Sequence, residues 1–150
     1  MKIDNVSNEK VILICLIGSG GSSKDINEPI EGSLKLMKEA FLLKKELGEQ
    51  FKYNFIPYDF GPCSFQIYED LNNLIKEGII KEERNNNFSI YSIADSYEKI
   101  VASLIVSLDP KIKNSIMNVK KEFNRLSYYS IIAYVYEKYP SWTRASKFRL

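Results

Sequence analysis

"SFQIYEDLNNLIKEGIIKEERNNNFSIYSI", Ser64–Ile93, is the stretch on which the fold turns. Ser64 offers an N-cap, and Ile67, Tyr68, Leu71, Leu74 and Ile75 recur at helical spacing. That spacing predicts a helix with one buried stripe, and Gly78 stands at its C-cap position. Two β-prone runs then flank Arg84-Asn85-Asn86-Asn87, the pattern of a hairpin with a polar tip. Upstream, Leu34 to Leu47 reads as another helix. Leu36, Met37, Ala40, Phe41, Leu43 and Leu47 share one face, Lys35, Lys38, Lys44 and Lys45 lie largely elsewhere, and Gly48 stops it. Helix, helix, hairpin across 34–93 is the layout of a winged helix-turn-helix, with 64–77 as recognition helix and 84–87 as wing tip.

Around this centre the chain divides readily. Val11–Ile17 is uniformly apolar, which suits a buried strand or a buried helix equally. "FKYNFIPYDFGPCS", 51–64, reads as an extended aromatic segment closed by a turn at Gly61-Pro62. Tyr97 to Leu108 is expected to be helical. Asp109-Pro110 starts the next helix, along which Ile112, Ile116, Val119 and Phe123 repeat. Ser127 caps a last helix through Tyr139, ended by Pro140. The expected fold class is mainly α with a β-hairpin. It forms a single domain, with a winged-helix core over 8–95 and a helical, basic C-terminal extension over 96–150.

Composition bounds the chemistry. The 150 residues are 45% apolar and 13% aromatic, and no apolar run approaches the ~20 residues that span a bilayer. The opening "MKIDNVSNEK" has no secretory apolar region, so a cytoplasmic location is expected and no membrane partner. Histidine is absent, which removes Ser-His and Cys-His nucleophile pairs and His-based metal sites. Cys15 and Cys63 are isolated, so neither a disulfide framework nor a zinc site is indicated. Cys63 lies near a helix N-terminus, where a thiol can be activated, but with no base in evidence a packing role is the better account. Glu69-Asp70 and Glu82-Glu83 are neighbours that point apart, hence solvated surface rather than an acid–base pair.

The segment "GSGGSSKD", 18–25, invites comparison with a phosphate-binding loop. It lacks the G-x-x-x-x-G-K-[ST] spacing, and Pro29 delays any following helix, so a flexible connection is expected. No enzyme activity, cofactor or metal is expected.

Four stretches, "NEPIEG" with "LKLMKEAFLLKKEL", "FIPYDFGPCS", "IYEDLNNLIKEGII" and "YVYEKYP", resemble a family of small archaeal and bacterial winged-helix proteins, the YwgA-like group. They run in order over nearly the whole chain. The resemblance implies a winged-helix core with a helical extension and makes the first apolar run a helix. Two positions depart from the family pattern: Ser33 stands where an arginine is usual, and Cys63 where a bulky apolar residue is usual.

Charge bears on the partner. Residues 1–95 carry 11 Lys/Arg against 15 Asp/Glu, whereas 96–150 carry 10 against 4. A basic third on an acidic body suggests an anion met by one face. The aromatic C-terminus (Tyr128, Tyr129, Tyr134, Tyr136, Tyr139, Trp142) is interleaved with cations, which suits base stacking, a dimer interface or simple packing on the core.

The expected function is therefore a dimeric, duplex-DNA-binding transcriptional regulator. Its contacts would come from Lys35, Lys38, Gln66, Asn72, Asn73, Arg84, Asn86, Arg144, Lys147 and Arg149. Against this, the reading helix carries Glu69, Asp70 and Glu77 with Lys76 alone, a field that repels phosphate. The alternative is a protein–protein module, an antitoxin-like adaptor using the acidic helix 64–77.

Overall fold

The computed structural model describes residues 7–147. In chain order they form α1 (Asn8–Gly18), β1 (Ile30–Glu31), α2 (Ser33–Leu47), β2 (Ile56–Tyr58), β3 (Gly61–Cys63), α3 (Phe65–Lys76), β4 (Ile80–Asn85), β5 (Phe88–Ile93), α4 (Glu98–Ser107), α5 (Pro110–Phe123) and α6 (Tyr128–Lys138). The described architecture is mainly helical, with two small antiparallel sheets. One sheet has the order β1-β5-β4, and the other is the β2–β3 hairpin. No described helix is long and apolar enough to cross a membrane.

The first apolar run is a helix, and every residue of α1 from Ile12 to Gly18 is buried. Apolar on all sides, it suits only the interior, where β5, α4 and α5 surround it. Helix α2 also lies deep, covered by α5 and α6 as well as by β3. This corrects the expectation for its lysines. Lys44 and Lys45 reach the surface, but Lys35 and Lys38 are buried, because the end of α5 meets the first and the β2–β3 hairpin covers the second.

Around Ser64–Ile93 the structure follows the sequence closely. The Ser64 hydroxyl accepts from the Ile67 N–H at 3.4 Å. Ile67, Leu71 and Leu74 are buried, Tyr68 and Ile75 are half-buried, and Gly78 takes φ +79° past the helix end. In the hairpin, Asn85 pairs with Phe88, so Asn86-Asn87 make the turn, with Asn86 at φ +54°. Asn27 extends the far end of this sheet: its Oδ1 accepts from the Ile93 N–H at 2.8 Å and its Nδ2 donates to the Ile93 carbonyl at 3.1 Å.

Upstream, the expected turn at Gly61-Pro62 is displaced. Those residues belong to β3, and the chain reverses at Asp59-Phe60. Gly61 takes φ +95°, and a Cβ there would stand 2.9 Å from the Tyr136 ring, so the glycine serves a close approach to α6.

The C-terminal aromatics mostly pack. Phe41 of α2 meets Tyr139 and Trp142 edge-on at 5.2 and 5.0 Å, with the Lys45 ammonium 5.3 Å from all three rings. Tyr134 lies on Phe123 at 4.8 Å, while Tyr128 and Tyr129 stay exposed. Leu71→Ala should cost ~2–5 kcal/mol, as buried leucine truncations do, and Glu69→Ala, on the exposed face of α3, under ~0.5 kcal/mol. Urea denaturation of the two variants checks the assigned stripe; equal losses would refute it.

Candidate functional site

The outer face of α3 and the β4–β5 hairpin present the polar groups that the sequence singled out. Gln66 and Asn72 are exposed and Asn73 is half-buried. Gln66 is engaged, its Nε2 donating to Asp70 Oδ1 at 2.8 Å. Asp70 itself is buried: Tyr53 donates to its Oδ2 at 2.6 Å, and Lys10 lies 3.9 Å from Oδ1. Three of the four charges counted on this helix therefore face outward, Glu69 and Glu77 against Lys76. On the hairpin, Arg84 donates to the Ser89 hydroxyl at 3.3 Å, and Asn86 is exposed at the tip. Lys81 lies between Glu83 at 3.4 Å and Asp95 at 3.8 Å. Neither element has an excess of cations.

The remaining expected contacts lie elsewhere. Lys35 donates to the Asn124 carbonyl at 3.1 Å and Lys38 to the Pro62 carbonyl at 3.3 Å, both from the interior. Neither ammonium stands on an outer face that a duplex backbone could touch, and both are withdrawn from a DNA-contacting surface. Arg144 is exposed, and Lys147 is tied to the turn of the β2–β3 hairpin, its N–H donating to the Asp59 carbonyl at 2.7 Å and its ammonium 3.7 Å from the Asp59 carboxylate. Arg149 lies outside the described residues.

The same hairpin carries a surface that the sequence reading left unassigned. Ile56, Tyr58, Phe60 and Phe65 are 47, 43, 37 and 53% exposed, and the rings of Tyr58 and Phe65 meet edge-on at 5.0 Å. The available signal was alternation: in β2, Ile56 and Tyr58 both point outward, where a solvated strand would place polar residues.

A second polar constellation is internal. The Lys120 ammonium donates to the carbonyls of Leu16, Ile17 and Ser19, each at 2.9 Å, and so closes the end of α1. Glu28 is held by three donors: the Ser23 N–H at 2.8 Å, the Ser23 hydroxyl at 2.7 Å and Asn124 Nδ2 at 2.6 Å. Burial pushes the Glu28 carboxyl up, but these bonds and the Lys120 charge outweigh it and hold the group below its ordinary value. The glycine-serine segment is thus a tied turn around a carboxylate, rather than the flexible connection expected. A Cβ on Gly21 would stand 2.0 Å from Glu28 Oε2, and one on Gly20 2.1 Å from the Asp25 carbonyl oxygen.

Glu39 is the outlier. It is fully buried and, among the described residues, neither carboxyl oxygen has a hydrogen-bond partner. Burial pushes it up to about 8, against the opposing charges of Lys120 and Lys35 and with that of Glu28. Burial likewise brings Lys120 down to about 8. Among the described residues, no cluster of three or more His, Cys, Asp or Glu side chains is placed to hold a metal ion. Compared with protein-family models and with curated proteins, the chain matches none.

A carboxyl whose folded-state pKa lies above its unfolded value keeps a proton that the unfolded chain gives up. Stability therefore falls between about pH 4 and pH 8 through this group. Glu39→Gln removes the ionisation and keeps the shape. It should be more stable than the parent by about 1–3 kcal/mol at pH 8, with the gap shrinking toward pH 4. Denaturant titrations across that range measure it, and parallel pH profiles would show that Glu39 is not the group responsible.

Proposed function

We propose that this chain is a non-catalytic winged-helix module that recognises a protein partner through α3 and the β2–β3 hairpin. Helix, strand, helix, helix, hairpin, with β1 paired to the second strand of the hairpin, is consistent with winged-helix topology. The resemblance to the YwgA-like group points the same way. One departure is the link between α2 and α3, where a helix-turn-helix unit uses a turn of three or four residues. Here residues 48–64 intervene and include a whole hairpin.

The observation that carries the reading is the exposed Ile56, Tyr58, Phe60 and Phe65 beside an outward α3 face with Glu69 and Glu77. Large apolar and aromatic side chains left in solvent mark protein interfaces, where aromatics serve as anchors. A partner with an apolar groove and a basic rim would complement this surface.

Duplex DNA is the second reading, favoured by the winged-helix layout and by the exposed Arg84 and Asn86 at the hairpin tip. A dimer is proposed through α4, which leaves Ile100 and Val106 in solvent.

Two variants separate protein from DNA. In affinity capture from cell extract, Tyr58→Ala with Phe65→Ala should reduce recovery of the partner at least ~10-fold, in the range of anchor truncations, and Glu69→Gln with Glu77→Gln should also weaken it. In gel shifts against genomic fragments over a salt series, the parent should show no specific complex. DNA binding that strengthens in the glutamine variant, with the log-affinity against log-salt slope falling by ~0.9 in Arg84→Gln, would establish the second reading instead.

A further inference from the structure

Under the exposed hairpin lies a cavity of about 220 Å³, lined by Leu34, Met37, Tyr58 and Tyr68 together with Lys38 and Cys63. This is below the ~300–1,000 Å³ of sites for drug-sized molecules. Lys38 is 1% exposed. An ammonium group has three N–H donors, and the one hydrogen bond of Lys38 among the described residues is the 3.3 Å contact with the Pro62 carbonyl. It belongs to no ion pair within 4 Å among those residues. A buried cation with spare donors and apolar walls is costly unless an anion joins it.

We propose that this cavity binds a small monocarboxylate, whose carboxylate pairs with the Lys38 ammonium and whose short apolar body lies against Leu34, Met37 and Tyr68. The carboxylate completes the hydrogen bonding of the ammonium and neutralises its charge, and the walls take the hydrocarbon out of water. Asp59, the acidic group at the cavity, has Lys147 opposite it at 3.7 Å, which lessens its repulsion of an entering anion. The site stands on its own geometry and holds whichever macromolecule the module recognises. A free metabolite and the C-terminus of a protein chain share this chemistry.

Burial brings Lys38 down to about 8, with Cys63 acting in the opposite direction. Burial pushes Cys63 and Tyr68, two further titratable groups of the lining, up. The affinity should therefore fall as pH rises above about 8, where the free protein loses the Lys38 charge.

Isothermal titration of the full chain tests the site with butyrate, benzoate, 1-butanol, benzyl alcohol, and N-acetyl-valyl-leucine with a free or an amidated C-terminus. At least one acid should bind with a Kd of about 1 mM or tighter. Its alcohol or amide counterpart should bind at least ~10-fold more weakly, and Lys38→Met should lose at least ~10-fold. Tighter binding of butyrate or benzoate than of the free-acid peptide assigns the site to a metabolite, and the reverse order assigns it to a chain terminus. Equal affinity for acid and alcohol, unchanged affinity in Lys38→Met, or no acid bound by ~10 mM would overturn the proposal. The alcohol comparison uses the parent protein, so it holds even if the variant fails to fold.

Discussion

The Lys120 ammonium against the carbonyls of Leu16, Ile17 and Ser19 is the contact on which the interior depends. Helix α1 is buried along its apolar length, so water cannot satisfy its last carbonyls. A cation at that end meets both the unpaired oxygens and the negative pole of the helix. The same α5 places Asn124 on Glu28 and on the Pro29 carbonyl, and accepts Lys35 at the Asn124 carbonyl. A division of the chain near residue 95 would therefore cut through one core rather than separate a core from an appendage.

The glycine-serine segment shows how a loop that looks made for phosphate can serve the fold. Its glycines permit a carboxylate and a carbonyl to come where a side chain would otherwise stand, and the anion gathered by Ser23 is the chain's own Glu28. A nucleotide would have to displace an internal carboxylate that also anchors Asn124. The chemistry of an anion-binding turn is present, and its occupant is covalently part of the protein.

Local signals were legible in the sequence wherever local chemistry decides the outcome. Ser64, Gly78, Asp109-Pro110 and Ser127 bound their helices as their side chains and φ preferences dictate. What could not be read was set by contacts distant in the chain. Lys35 and Lys38 look like the solvated side of an amphipathic helix until the end of α5 is laid over one and the β2–β3 hairpin over the other. Asp70 looks like surface charge, yet Tyr53 and Gln66 draw it inward. The Glu28 turn needs Asn124, almost a hundred positions away, to make sense of its glycines. The exposed aromatics of the β2–β3 hairpin had a readable alternation, but a short aromatic segment suits a buried strand equally well.

The span between α1 and its cap also bears on how the protein is made. Leu16 and Lys120 are separated by 104 residues in sequence. At ~5–20 residues per second, on the order of ten seconds pass on the ribosome between their appearances. Throughout that interval α1 carries an apolar run, Val11–Ile17, and its C-terminal carbonyls lack their cation. Contacts this distant also slow folding, since loop closure precedes the gain from the contact. The nascent chain thus carries a sticky N-terminal segment until its last third emerges, a reason for it to engage a chaperone during synthesis and for C-terminal truncations to aggregate rather than leave a smaller folded core.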